Sequence, residues 1–286
     1  MTTTLPKLRL QGVNKSFLAP RATRPTPAVA DFSLDVRAGE FVCIVGPSGC
    51  GKSTVLNMVA GLDTPDAGTI ELDGRAVTGP GAERGVMFQD YALMPWQTVA
   101  GNVGFGLRHG TPGQGLTPAQ RTQRVAEHLE LVGLTASAGK YPHQLSGGMR
   151  QRVALARLLA NGPEVLLMDE PLGALDAQTR LILQVELLRI WGETRSVAER
   201  KTAIFITHDI EEAVFLGDRV VVMSSHPGRV KADIAIDLPR PRREALRGDP
   251  RFGEFTERIW SLIREEARRA IGGTEAADHP QEETTA

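Results

Sequence analysis

The residues best suited to chemistry form a glycine-rich segment with a lysine and a serine at its end, Gly46-Pro47-Ser48-Gly49-Cys50-Gly51-Lys52-Ser53. This segment, here called the glycine loop, matches the pattern G-x-x-x-x-G-K-[ST] at every specified position. Glycines let the backbone N–H groups fold around phosphate oxygens. Lys52 can reach the β- and γ-phosphates of a nucleoside triphosphate, and the Ser53 hydroxyl can ligate Mg²⁺. The segment therefore predicts a phosphate site.

Two adjacent carboxylates follow an apolar run later in the chain. The run Val165–Met168 has the length and composition of a buried strand, and Asp169 and Glu170 come directly after it. We expect Asp169 to lie at the edge of a sheet, where it can hold Mg²⁺ through water. Glu170 is then placed to polarise the attacking water as a general base. Together with the glycine loop, these residues predict a site for phosphoryl transfer to water.

The elements that must position these residues alternate between strands and helices. The apolar run Phe41–Val45 predicts a buried strand before the glycine loop, and an apolar-periodic helix over 53–60 follows it and ends at Gly61. Further buried strands are predicted at 202–206 and 220–223, after the one at 165–168. This alternation predicts an α/β fold around a mostly parallel sheet.

The remaining segments divide the chain into parts. Residues 5–42 predict a strand, a proline-rich loop at 20–28 and a second strand, whereas helical periodicity at 119–132 and 149–160 predicts an inserted helical subdomain. An amphipathic helix is predicted from Phe252 to Ala270, and packing on its own domain is favoured over partner binding. The predicted parts are the nucleotide-binding core with antiparallel strands at 1–89, the helical subdomain at 90–162, the second core part at 163–236, a helical extension at 237–271 and a disordered tail at 272–286.

Composition excludes several classes of protein. The chain has 286 residues, a formal net charge of −1 and no basic excess, which argues against a nucleic-acid partner. Its two cysteines, Cys43 and Cys50, lack metal-ligand spacing and suit a reducing compartment. No stretch has the 18 or so apolar residues of a membrane span, and Met1–Arg9 lacks the apolar region of a secretory signal. We therefore expect a cytoplasmic protein that needs membrane partners for any transport role.

A second glycine-rich segment narrows the class further. In Leu145-Ser146-Gly147-Gly148-Met149, here called the signature segment, Ser146 is a good N-cap for the helix that follows. A capped helix start explains the serine but not two consecutive glycines, which lower helix stability. Glycines are useful where a backbone must approach a ligand closely. The segment therefore predicts a helix N-terminus that contacts a ligand.

With this segment the chain resembles the ABC ATPase family, whose signature is LSGGQ; here Met149 replaces the glutamine. The resemblance runs from about Leu8 to Met223 and includes other family motifs in order. Phe17 matches the position of an aromatic residue that stacks on adenine in the family. Gln89 matches the family's glutamine in the loop that joins the core to the helical subdomain. Asp176 matches the loop that crosses the dimer interface, and His208 matches the switch histidine at the γ-phosphate.

The resemblance implies an ABC ATPase core with an inserted helical subdomain, working as a head-to-tail homodimer with ATP and Mg²⁺. It assigns catalysis to Glu170, His208 and Gln89, and the metal to Ser53, Gln89 and Asp169. Ser146, Gly147, Gly148 and Met149 would act on the ATP of the partner subunit. The implied ATP-binding residues are Phe17, Gly46, Pro47, Ser48, Gly49, Cys50, Gly51, Lys52, Ser53 and Thr54.

The segment after Gln89 points to one branch of the family. Its run Leu93-Met94-Pro95-Trp96 resembles importers of nitrate, sulfonates and taurine, as do 81–85 and 237–242. The resemblance implies an ATPase that energises uptake of a small oxyanion at the cytoplasmic face of the membrane. Its partners would be permease subunits, docked around Gln89–Trp96, and indirectly an extracytoplasmic solute-binding protein. A cytosolic ATPase of iron–sulfur assembly is the alternative that the motifs leave open.

Overall fold

The computed structural model describes residues 5–18 and 23–275. In chain order, its strands are β1 (Leu8–Phe17), β2 (Thr26–Val36), β3 (Phe41–Val45), β4 (Ala67–Leu72), β5 (Arg75–Ala76), β6 (Arg84–Met87), β7 (Val165–Asp169), β8 (Thr202–Ile206), β9 (Arg219–Met223) and β10 (Val230–Ala235). Its α-helices are α1 (Lys52–Ala60), α2 (Val99–Val103), α3 (Phe105–His109), α4 (Pro118–Leu131), α5 (Gly147–Ala160), α6 (Ala177–Trp191), α7 (Ile210–Leu216) and α8 (Pro250–Glu275).

A six-stranded sheet in the order β10-β9-β3-β8-β7-β6 forms the centre of the fold. Its strands are parallel except β10, which pairs antiparallel with β9 at one edge. Every residue of β3, β7 and β8 is buried, as their continuous apolar runs require in a sheet covered on both faces. Because these three strands are neighbours and run the same way, the residues after their carboxyl ends meet at one edge.

A smaller antiparallel sheet in the order β2-β1-β4-β5 covers one side of this core. Side chains from both sheets and from α1 form one apolar cluster, which includes Leu10, Phe32, Ile44, Val55 and Met58. The helix that follows the glycine loop is therefore buried between two sheets. At its C-terminus Gly61 adopts a left-handed conformation, as predicted for the glycine that ends this helix.

The chain between β6 and β7 contains the helices α2 to α5. Val99, Val103, Leu107, Leu129 and Val153 from these helices are buried in the second apolar cluster, which continues under the central sheet. Thr117 begins α4 with a capping box that Gln120 completes. These helices lie within residues 90–162, for which the sequence predicted a helical subdomain.

The structure differs from the sequence-based expectations in the short strands and at the C-terminus. The strands β4, β5, β6 and β10 were not predicted, since β5 and β6 are short and polar residues interrupt the apolar pattern of β4 and β10. Helix α8 runs to Glu275, beyond the expected end at 270 and the boundary at 271, so it includes the first four residues of the predicted disordered tail. Gly272 and Gly273 have low helix propensity, which is why the pattern predicted an earlier end. Residues 276–286 of that tail and 20–22 of the predicted loop lie outside the described residues.

Candidate ATP site

The glycine loop joins β3 to α1, between the predicted strand and the predicted helix. Gly51 has a φ of +91°, and a Cβ there would lie 2.8 Å from the carbonyl oxygen of Ala28. Gly49 also has a positive φ, +76°, but nothing lies within 4 Å of its Cβ position. At Gly51 a side chain is therefore excluded both by the backbone conformation and by lack of space, whereas at Gly49 only the conformation disfavours one.

Lys52 lies at the end of the glycine loop and is the first residue of α1. Its ammonium donates to the carbonyl oxygens of Gly46 and Pro47, each at 2.9 Å, and the residue is only 8% exposed. The loop thus holds a cation beside the N-terminus of α1, whose own dipole favours an anion. A triphosphate offers oxygens that accept from the same ammonium.

Asp169 ends β7 opposite the start of α1, and the Ser53 hydroxyl donates to its carboxylate. Burial raises the pKa of Asp169, and the charge of Glu170 raises it further, while Ser53 and Lys52 act in the opposite direction. A nearby cation would favour the ionised form of this desolvated carboxylate.

The residues expected to hold Mg²⁺ fit that cation. Ser53, Gln89 and Asp169 line one cavity and present hydroxyl, amide and carboxylate oxygens, the donor type that Mg²⁺ prefers. Within the described part of the chain, no three His, Cys, Asp or Glu residues form a metal cluster. The oxygen donors of Ser53, Gln89 and Asp169 suit a Mg²⁺ ion that also takes phosphate oxygens and water as ligands.

The three predicted catalytic residues meet at one oxygen atom. Glu170 Oε2 lies 3.3 Å from Nδ1 of His208 and 3.4 Å from Nε2 of Gln89. Glu170 has a φ of +46°, which is uncommon for a residue with a side chain, and its N–H donates to the Ile206 carbonyl at 3.0 Å. The pairing of β7 with β8 thus brings Glu170 and His208 together from separate strands.

The other predicted site residues lie apart from the glycine loop in this chain. Ser146 caps α5 by accepting from the Met149 N–H at 3.3 Å, and it is exposed. A Cβ on Gly147 would meet only the Arg150 guanidinium, at 4.0 Å, so this helix end is open. A Cβ on Gly148 would lie 2.9 Å from the Leu175 side chain.

Phe17 and Asp176 also have local contacts. Phe17 is 47% exposed at the end of β1, with the Lys15 ammonium 5.4 Å from the centre of its ring. Asp176 is exposed and caps α6 by accepting from the Thr179 N–H and hydroxyl, which lowers the pKa of its carboxyl. None of these contacts involves the glycine loop.

Two groups of residues near the site were not predicted. Thr207 and Asp209 flank His208, and Asp209 caps α7 by accepting from the Glu212 N–H at 3.0 Å. The spacing of Asp209 and Glu212 before an apolar run is a helix-start signal that the sequence does show. Arg157, in contrast, donates to the carbonyls of Tyr91 and Ala92 across 66 and 65 positions, and no local pattern reveals that contact.

A glycine loop between a parallel strand and a helix, with two carboxylates at the end of another parallel strand of the same sheet, defines an ATPase of the phosphate-loop class. The model of the family described as ABC transporter matches residues 29–173. The nitrate import ATP-binding protein NrtD of Synechococcus elongatus is 47% identical over 260 residues, covering 90% of this chain and 92% of that protein. The taurine import ATP-binding protein TauB of Rhizobium johnstonii is 46% identical over 252 residues, covering 86% and 93%.

A solved structure agrees with these matches. The dimeric ATP-binding cassette MJ0796, in a post-hydrolysis state with ADP and Pi, superposes with a TM-score of 0.72. It is 31% identical to this chain, covering 81% of it and 100% of the cassette. This chain belongs to the ABC transporter family and is an ATPase of that family.

The predicted family and fold class are thus confirmed. In the described part of the chain, no helix combines the length and the apolar character that crossing a membrane requires.

Proposed function

We propose that this chain energises the import of a small oxyanion, such as nitrate, taurine or another aliphatic sulfonate. The observation that carries the proposal is its similarity, at 47% and 46% identity over most of both chains, to subunits named for nitrate and taurine import. These relatives favour an importer over the iron–sulfur assembly ATPase that the motifs alone left open. The solute itself would bind other subunits, so the chain's own chemistry is that of ATP.

In this proposal the glycine loop binds the phosphates. Its backbone N–H groups and the N-terminus of α1 surround the anion, and Lys52 exchanges its two loop carbonyls for phosphate oxygens. When bound with ATP, Mg²⁺ would neutralise charge that develops on the phosphate oxygens. Ser53, Asp169 and Gln89 would hold it, directly or through water. The adenine would stack on Phe17, whose ring is half exposed.

Glu170 is the proposed general base. Its carboxylate can accept a proton from a water molecule while His208 and Gln89, both within 3.4 Å, keep the carboxylate oriented. His208 is proposed to contact the γ-phosphate as well. When ATP binds, the Glu170 carboxylate would have to give up part of its contact with the Gln89 amide and the His208 imidazole. The site thus senses the nucleotide through side chains from three different segments.

The signature segment is proposed to complete the site of a second copy. Ser146 is exposed and a Cβ on Gly147 would meet little, so these residues present an open helix N-terminus. Backbone N–H groups at a helix N-terminus bind anions, so the γ-phosphate of a partner's ATP is a suitable ligand. Asp176 would lie at the same interface. The similarity to a dimeric cassette supports this head-to-tail homodimer.

The membrane partners are proposed to dock on the segment Gln89–Trp96. Trp96 is 71% exposed there, which is unusual for so large an apolar side chain. A permease helix seated on this segment would contact the residues next to Gln89 and thereby the ATP site. We accordingly place the protein at the cytoplasmic face of the membrane, bound to permease subunits and linked through them to a solute-binding protein.

The proposal is tested by growth of a deletion strain on nitrate as nitrogen source, and on taurine or another aliphatic sulfonate as sulfur source. Growth should fail on at least one of them and return with the wild-type gene. Lys52→Ala should not restore it, whereas Lys140→Ala, an exposed lysine outside the site, should. Normal growth of the deletion strain on every compound would refute the solute class. Restoration by Lys52→Ala would instead refute the assigned phosphate site.

A further inference from the structure

A chain of hydrogen bonds, buried at its centre, leads from the C-terminal segment (residues 244–275) to the backbone beside His208. Arg247, in the 3₁₀ turn Glu244–Gly248, donates through Nη2 to Oε1 of Gln184 at 2.7 Å. Gln184 Nε2 donates to Oε1 of Glu212 at 3.0 Å, and the Thr207 hydroxyl donates to Oε2 of Glu212 at 2.6 Å. The Thr207 oxygen in turn accepts from the Asp209 N–H at 3.0 Å. Four elements are connected in this way.

The chemistry of the groups fixes the direction of every bond in this chain. A guanidinium has donors only, so Arg247 sets which end of the Gln184 amide faces it. The amide nitrogen then faces Glu212, whose carboxylate accepts on both oxygens. Because the Thr207 hydroxyl gives its single proton to Glu212, its oxygen is left to accept from the backbone at Asp209. Removing Arg247 therefore leaves Oε1 of Gln184 without its donor and takes away one of the two groups that hold this amide in place.

Burial makes these bonds costly to break. Gln184, Thr207 and Glu212 are 2%, 3% and 4% exposed, and water does not replace a lost partner at such positions. Burial raises the pKa of Glu212, while the hydrogen bonds from Thr207 and Gln184 oppose that effect. The carboxylate thus depends on its two donors.

The Arg247 side chain is itself held by the helices on either side. Its guanidinium lies 4.7 Å from the ring centre of Phe215 on α7 and 5.8 Å from that of Phe252 on α8. It also donates to Glu211 on α7 at 3.3 Å. The position of Arg247 therefore depends on how the C-terminal segment is docked against α7.

The far end of the chain of bonds holds the backbone on both sides of His208. Thr207 and Asp209 are its neighbours, and Asp209 is fixed further by capping α7 and by an ion pair with Arg180. The His208 side chain itself is 66% exposed, so little packing determines its position. We propose that Arg247 is a positioning residue for His208, through which the docked C-terminal segment supports ATP hydrolysis. This inference rests on the proposed role of His208 in hydrolysis.

The test compares Arg247→Met, which keeps an apolar stem against the phenylalanines, with Arg247→Lys, which keeps a donor. In the full chain with ATP and Mg²⁺, Arg247→Met should lower kcat about tenfold and leave KM for ATP unchanged, because a misplaced side chain affects turnover more than binding. Arg247→Lys should recover at least part of the loss. The matched control is Arg251→Met, because Arg251 is exposed and its side chain bonds to Asp249 alone among the described residues; it should match wild type.

Two further measurements separate positioning from a general loss of structure. Hydrogen exchange at the amides of 207–213 should be faster in Arg247→Met, while the melting temperature falls by only a few degrees. In a His208→Ala background, Arg247→Met should lower kcat no further, since the two changes act through one group. An equal loss in both backgrounds, or unchanged exchange, overturns this inference alone. Wild-type turnover by His208→Ala would overturn the proposed role of His208, and the inference with it.

Discussion

Replacing Arg157 should release the segment that joins the ATP site to the proposed permease surface. Tyr91 and Ala92, directly after Gln89 and Asp90, have φ values of +64° and +42°. Two successive side-chain-bearing residues in this region of φ are strained. The Arg157 guanidinium donates to both of their carbonyl oxygens, at 2.6 Å to Tyr91 and 2.7 Å to Ala92. Arg157, which lies on α5, thus holds the strained residues Tyr91 and Ala92 in place.

The expected magnitude follows from these contacts. Each left-handed residue costs on the order of 1–3 kcal/mol, and a hydrogen bond from a charged donor contributes roughly 1.5–3 kcal/mol. Burial lowers the pKa of Arg157, so its guanidinium is also desolvated in place and depends on these two acceptors. In Arg157→Met the strain remains without the bonds that oppose it. We expect the segment to become less stable by about 2–3 kcal/mol.

Hydrogen exchange measures this loss directly. A change of about 2–3 kcal/mol corresponds to roughly a 30- to 150-fold faster exchange at the Tyr91 and Ala92 amides. Arg152→Met is the matched control, because Arg152 lies on the same helix but donates to the Val132 carbonyl instead. It should leave exchange at 89–94 unchanged. If Arg157→Met also leaves it unchanged, Arg157 does not hold this segment and the reasoning from strain is wrong.

Two further predictions concern stability. Burial would raise the pKa of Glu266, but hydrogen bonds from Lys231 and Ser225 lower it from 4.5 to about 2. Because the folded state thus stabilises the ionised carboxylate, Glu266→Gln should lower the free energy of unfolding by about 2–3 kcal/mol at pH 7, measured by denaturant unfolding. That difference should persist above about pH 5 and shrink as the pH falls from 4.5 towards 2; a constant difference would contradict it. In the absence of nucleotide, Gly51→Ala should lower the melting temperature more than Gly49→Ala does. Both residues have a positive φ, but only a Cβ at position 51 would meet a backbone carbonyl. Equal losses would count against this steric explanation.

The sequence predicted the centre of this fold because the relevant signals are local. Continuous apolar runs identified β3, β7 and β8, and the glycine loop followed the first of them as its pattern requires. Parallel pairing of neighbouring strands then places Lys52, Asp169 and His208 at one edge. The alternation of strands and helices was therefore enough to anticipate which residues meet.

Other features depend on contacts between distant residues and had no local signal. The left-handed conformation of Glu170 and Tyr91 is set by strand pairing and by Arg157, not by their own residue types. The buried link from Arg247 through Gln184 joins positions 63 residues apart. The strands β4 and β10 pair with the edges of β1 and β9, and β5 pairs with β4; their own sequences, without continuous apolar runs, do not reveal these pairings.

The central claim is that this chain hydrolyses ATP between two copies, with Glu170 as the base. Glu170→Gln keeps the shape of the side chain but cannot accept a proton from water. We expect it to bind ATP, to lose turnover by at least about a hundredfold and to elute as a dimer on size exclusion only when ATP and Mg²⁺ are present. A Glu170→Gln protein that hydrolyses ATP at the wild-type rate, or that stays monomeric with bound ATP, would contradict the account.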